Sequence, residues 1–285
     1  MKLRSLRRLQ KSLKKHWKRY RKGLKRCQNE FSEEAIHTLR VETRRLLSTV
    51  ELLGGFLPAG CVPKVQRDLK RGLDIFDDLR DTQVQLLQVS KMRRAFPAAR
   101  PFYAYLFNRQ SRLAKKARNR IKKLATNRLG KLMDGFRKQV KAQSKGLAPN
   151  DATARLIRPI RRAFMRTKRL RARIDPRDAE TIHCTRVAFK KFRYMVEEVA
   201  DDFLAADDKV LAEMHHYQVM MGDIQDAEVL LSALDKFFAR KKIKPAAALQ
   251  LREELVRRRE WLIRVYLDAA AQLKDFRPMQ KATGS

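Results

Sequence analysis

Apolar residues recur at intervals of three and four along nearly the whole chain, and no stretch alternates apolar and polar positions as a strand would. The pattern predicts an all-α protein. Leu3, Leu6, Leu9, Leu13, Trp17, Tyr20 and Leu24 form the stripe of a first helix. Ser32, followed by Glu33 and Glu34, reads as the N-cap of a second helix that runs to the Gly54-Gly55 break. A third helix is expected from near Pro63 to about Met92, and a fourth, long and basic, after Pro97 or Pro101. Gly146 to Asp151 combines glycine, proline and turn formers and reads as a hinge. Beyond it the pattern predicts a basic helix from about Ala152, another opening at Asp175-Pro176, and two more, from about Asp207 to Ala239 and from Pro245 to about Leu273.

The pattern also repeats. Ile36-His37-x-x-Arg40-Val41-x-x-Arg44-Arg45 matches Ile182-His183-x-x-Arg186-Val187-x-x-Lys190-Lys191, and each runs on to a Val-Glu pair, Val50-Glu51 and Val196-Glu197. Leu79-Arg80-Asp81-x-x-Val84 then lies 145 residues before Ile224-Gln225-Asp226-x-x-Val229, against 146 between His37 and His183, so one single-residue indel reconciles the two offsets. A duplicated unit of four helices is expected, residues 1–145 and 146–285, as two antiparallel bundles related by a pseudo-twofold axis.

What is repeated is chemically pointed. On an α-helix, positions i, i+3 and i+7 fall within an arc of about 60°. His37, Arg40 and Arg44 therefore share one face with Ser48 and Glu51, while Leu39, Leu46, Val50 and Leu53 occupy another. The second copy sets His183, Arg186, Lys190, Arg193 and Glu197 apart from Phe189, Phe192, Val196 and Val199. A merely soluble face needs no particular cation at particular places, whereas here His and Arg recur in register. Arginine offers a planar donor fork for phosphate oxygens, lysine a mobile point charge, and histidine a donor whose charge rises beside an anion.

Composition sharpens the reading. The chain carries 67 Lys+Arg against 31 Asp+Glu, a formal +36 over 285 residues, which calls for a polyanionic partner. Net charge alone does not choose among nucleic acid, an anionic membrane surface and a phosphate polymer. Residues 1–145 hold 39 Lys+Arg and 11 Asp+Glu, so most of the excess lies in the first half. Two further helices align cations at spacings of three and four: one carries Arg112, Lys115 and Lys116, the other Arg162, Arg166 and Arg169, and both sets join the candidate binding residues.

The same residues exclude other chemistry. There is no Gly-rich phosphate loop, nucleophile elbow or zinc-ligand spacing, so no cofactor, metal or catalytic residue is expected. Asp81 and Asp226 read as carboxylates that orient arginines, Glu51 and Glu197 likewise, and His16 and the His215-His216 pair as structural. Cys27, Cys61 and Cys184 form no Cys-x-x-Cys pair and read as reduced structural thiols. The N-terminal segment lacks the apolar core of a signal peptide, and no apolar run reaches the roughly 20 residues of a membrane span, so a cytoplasmic protein is expected. Nucleic-acid binding is the competing reading, weakened because Tyr194 alone places an aromatic ring beside a basic row. Phosphoryl transfer through His37 or His183, and membrane adsorption through residues 2–26, are weaker rivals.

The paired His-x-x-Arg-x-x-x-(Arg/Lys)-(Arg/Lys) helices, each followed by a (Leu/Ile)-x-Asp-x-x-Val segment, resemble the CHAD family, the conserved histidine α-helical domain, over nearly the whole chain. Met221-Gly222-Asp223-Ile224-Gln225-Asp226-Ala227 is close to the family's second-half pattern, while Gln225 opposite Arg80 departs from strict equivalence of the halves. The resemblance implies two four-helix bundles facing each other across a basic cleft or pore that binds inorganic polyphosphate. It assigns that role to His37, Arg40, Arg44 and Arg45 in the first motif and to His183, Arg186, Lys190, Lys191 and Arg193 in the second. It also implies association with polyphosphate granules and partner enzymes of phosphate metabolism. No strand-rich segment leaves room for the triphosphate-tunnel enzyme domain that often accompanies this family, so a non-enzymatic protein is expected.

Overall fold

The computed structural model describes residues 3–58, 60–200, 206–241 and 245–278. Residue 2 and the side chain of Leu3 lie outside the described residues. The described residues form ten α-helices and no strand: α1 (Leu3–Asn29), α2 (Glu33–Leu53), α3 (Cys61–Asp74), α4 (Asp77–Met92), α5 (Ala99–Lys122), α6 (Asn127–Gln143), α7 (Pro149–Arg171), α8 (Ala179–Val199), α9 (Asp208–Lys241) and α10 (Pro245–Ala269).

The helices that carry the His motifs start as local chemistry dictates. Ser32 caps α2, its hydroxyl accepting the Ala35 amide at 3.2 Å, with Glu33 and Glu34 in the positive first turn. The equivalent start in the second half is displaced from the expected Asp175-Pro176. Asp178 caps α8 through the Glu180 amide at 3.0 Å, while Asp175 accepts the Arg177 amide and shapes the preceding turn. The hinge lies where glycine and proline put it: Gly146 takes a positive φ of 75°, and Pro149 opens α7.

Two expected long helices are each broken in two. The third divides at Ile75-Phe76, both buried, with Asp77 and Asp78 opening α4 beyond the bend. The fourth divides between Lys123 and Asn127 into α5 and α6. Neither break carries a glycine or proline, so nothing in the apolar spacing signals it; in both places the chain bends to keep an apolar face on the core.

Two buried clusters organise the molecule, and each draws on both halves. The larger takes Leu13, Leu46, Phe136, Ile160, Phe192 and Tyr217 among others, and draws on all ten helices. The smaller joins Val89 and Phe102 of α4 and α5 to Leu234, Phe237 and Leu255 of α9 and α10. Helix α1 packs on α2 as α7 packs on α8, and α4 on α5 as α9 on α10; the halves meet where α2 touches α8 and α4 touches α9. The 3₁₀ turn after α2 passes close to α7, where a Cβ on Gly55 would stand 2.4 Å from the Arg155 carbonyl oxygen.

The α1, α2 and α8 junction is tied by charge. His16 is buried with Nδ1 2.9 Å from Glu42 and Nε2 3.3 Å from Glu198. Burial alone would depress the imidazole, but the hydrogen bonds and charges of Glu198 and Glu42 outweigh it and raise its pKa above the ordinary value. His16 is thus structural, as expected. Cys27 is buried and its thiol is pushed up to about 11, whereas Cys61 is half-buried and Cys184 lies exposed on α8.

Candidate polyanion cavity

Where α2 meets α8 and α4 meets α9, the four helices leave a cavity of about 520 Å³. His37, Arg40 and Arg44 enter it from α2, His183, Arg186 and Lys190 from α8, and the Asp81 and Asp226 segments line it from α4 and α9. Both sequence repeats thus converge on one space. The i, i+3, i+7 spacing delivers this directly, because each row lies along the inner edge of its helix while the apolar face, with Leu39, Leu46, Phe189 and Phe192, is buried in the core.

The cations crowd one another. Lys190 stands near Arg44, Arg186 and Arg40, and burial together with those three charges pushes its ammonium down to about 7. Burial also lowers the Arg44 guanidinium, with Tyr194, hydrogen-bonded to it, acting in the opposite sense. Arg40 is held by Asp77 at 2.9 Å. Two buried nitrogens in the cavity wall, His183 Nδ1 and Arg186 Nε, have no hydrogen-bond partner, and the Arg186 guanidinium lies against Gly222, within 3.6 Å of the place a Cβ would occupy. On the opposite wall desolvation raises both carboxyls. Asp226 is lifted to about 6 by burial, against Arg186 and with the help of Asp223 and Asp81, and Asp81 is raised by burial and by Asp77.

The other candidates lie elsewhere. Arg45 and Lys191 follow the row by one residue, which turns each about 100° away from it. Both are exposed, Arg45 3.7 Å from Glu42 and Lys191 2.7 Å from Glu51. Arg193 is only 6% exposed and serves packing: its Nε donates to Gln218 at 2.9 Å, its Nη1 pairs with Glu197, and its guanidinium lies 4.7 Å over the Tyr194 ring. Glu51 and Glu197 therefore do hold neighbouring cations. Arg112 lines a second hollow between α4, α5 and α9, while Lys115, Lys116, Arg162, Arg166 and Arg169 are exposed on α5 and α7 and do not line the cavity.

Of the other residues that line the cavity, Asp77 escaped the motif reading, and Arg80 and Tyr194 were seen in the sequence but not assigned to the site. Asp77 precedes Asp81 by four residues and Tyr194 follows Lys190 by four, so both were reachable by helical spacing. Arg80 stood out only as the mismatch to Gln225. Among the described residues, no three His, Cys, Asp or Glu side chains group as metal ligands, and no helix is long and apolar enough to cross a membrane.

Fold and cavity together define a class: an all-helical protein whose two His helices wall a shared cationic space. The CHAD domain family matches residues 4–235, and the chain belongs to that family. The crystal structure of the CHAD domain from the plant Ricinus communis superposes with a TM-score of 0.73 at 19% identity, over 96% of this chain and 93% of that one. PptA from Streptomyces chartreusis superposes with a TM-score of 0.65 at 18% identity, over 94% and 98%. At these identities the likeness is one of fold. No curated protein sequence matches the chain significantly.

Proposed function

We propose that the cavity binds inorganic polyphosphate, without cleaving it, and that this binding directs the protein to polyphosphate granules in the cytoplasm. The observation that carries the reading is the row of cations from α2 facing the row from α8, with two buried nitrogens, His183 Nδ1 and Arg186 Nε, left unpartnered. An anion in the cavity offsets the burial and the arginine charges that depress Lys190, and offers acceptor oxygens to its ammonium and to the guanidinium groups of Arg40 and Arg44. A file of charges along a space between helices suits a linear chain bearing about one negative charge per unit, bound with counterion release as nucleic-acid backbones are. The repeated motifs at matched spacing further support descent of the two halves from one duplicated unit related by a pseudo-twofold axis.

The test is a titration with tripolyphosphate. Arg40→Ala with Arg186→Ala is expected to weaken binding by at least about 100-fold, each charged hydrogen-bonding group contributing about 1.5 kcal/mol or more. Alanine at the exposed Lys25 and Lys91 removes the same charge and is expected to change affinity less than threefold. Equal losses in the two double variants would replace this site with diffuse surface attraction.

A further inference from the structure

The N-terminal helix carries a second basic feature that the cavity leaves unused. Arg7, Lys11, Lys14, Lys18 and Arg21 follow one another at spacings of four and three, which confines them to an arc of about 80° on α1 and spreads them along about 20 Å. They do not face open solvent uniformly. Between α1 and α6 lie two adjoining hollows of about 500 and 370 Å³ that share Lys14, Asp134 and Arg137 in their walls, and all five cations of the α1 stripe border one or the other. Helix α6 adds Arg137, Lys138 and Lys141 from the opposite side.

The groove holds eight cations and one carboxylate, Asp134, which pairs with Arg137 at 3.4 Å. Its floor is apolar, with Leu13 and Val140 buried, and one end is tied by Gln10 donating to Ser144 across the two helices at 3.2 Å. None of these residues lines the cavity between α2, α4, α8 and α9. Helix α6 also has no counterpart after α10 among the described residues, so the groove is a feature of the first half alone.

We propose that the α1–α6 groove is a second, separate binding track for an extended phosphate chain. Several neighbouring cations along a trough about 20 Å long match a linear polyanion better than a compact anion. The trough gives nucleobases nothing to stack on: Trp17 is its only aromatic, is 7% exposed, and has the Arg21 guanidinium 5.7 Å over its ring. A bare phosphate backbone is therefore favoured over single-stranded nucleic acid. The choice of polyphosphate rests on the function proposed above, while the groove's residues are independent of it. With two tracks on one molecule, a chain long enough to engage both binds by effective concentration, so affinity rises with chain length well beyond what one track gives.

Tripolyphosphate and long-chain polyphosphate titrated at about 150 mM salt separate the two sites. The variant Lys11→Ala, Lys14→Ala, Lys18→Ala, Arg137→Ala is expected to lose at least about 10-fold in long-chain affinity and to keep wild-type binding of tripolyphosphate. A variant with Lys115, Lys116, Arg162 and Arg166 changed to alanine loses the same charge from exposed surface and is expected to stay within threefold for both. Equal long-chain losses in the two quadruple variants, or loss of tripolyphosphate binding in the groove variant, would overturn the second track. So would a groove variant that loses duplex DNA or RNA binding more than polyphosphate binding. Failure of the cavity is a different result: Arg40→Ala with Arg186→Ala would then bind tripolyphosphate as wild type does.

Discussion

At the scale of single residues, Lys190 is the most informative. Its ammonium sits among Arg40, Arg44 and Arg186, and burial and those neighbours bring it to about 7, so near neutral pH it is partly uncharged. An anion in the cavity favours the charged form and raises that pKa, so binding takes up protons. Affinity for tripolyphosphate is therefore expected to be high below pH 7 and to fall as pH rises through about 7 toward the pKa of the complex. His37, His183 and Asp226 face the same space, and Asp226, lifted to about 6, titrates below this window. Lys190→Arg isolates the effect, because a guanidinium stays charged: the fall between pH 7 and 9 should largely vanish in calorimetric titrations. An unchanged pH profile would assign the proton elsewhere. Lys190 was legible as a member of the row from spacing alone. Its depressed pKa was not, because that depends on burial and on Arg44 and Arg40, which reach it only across the α2–α8 junction.

At the scale of helices, the buried His16 holds α1 to both α2 and α8, with Glu42 and Glu198 at its two nitrogens. Its folded pKa is raised, so its contribution to stability is fully present below the unfolded value near 6.5 and is lost as pH rises through the folded value. His16→Leu removes the cation that Glu42 and Glu198 share, leaving Glu42 with Arg19 and Arg45 at 3.5 and 3.7 Å, and is expected to cost about 3 kcal/mol at pH 6, measured by denaturant unfolding. The wild type should lose part of that margin between pH 6 and 9, and the variant should not; parallel profiles would remove His16 as the cause. Helix starts and ends followed local signals at Ser32 and Gly146, while at Asp175-Pro176 the signal shaped a turn and the helix began after Asp178. The breaks at Ile75-Phe76 and after Lys123 carry no such signal, because they are imposed by packing against other helices rather than by the residues in the bend. The same division explains Arg193 and Lys191. Periodicity placed both among basic positions, but only the packing of α8 on α9 shows that Arg193 is enclosed, and only Glu51 on α2 shows where Lys191 goes.

For the whole molecule, the three- and four-residue apolar spacing made the all-helical fold readable in the sequence, and the meeting of the two cationic rows was implied by the resemblance to the CHAD family. What the pattern left open is that both buried clusters mix helices from the two halves, so the cavity is walled by α2 and α4 from one and α8 and α9 from the other. A net charge of +36 also means that much polyanion attraction is non-specific, and it weakens steeply with salt. The most direct measurement is binding of labelled long-chain polyphosphate at near-physiological salt, competed by charge-matched duplex DNA and RNA, for the wild type and for the variant with Arg40, Arg44, Arg186 and Lys190 changed to alanine. Polyphosphate that survives competition on the wild type and is largely lost from the variant is the predicted result. Nucleic acid that competes equally at matched charge, or a variant that binds as the wild type does, would contradict it.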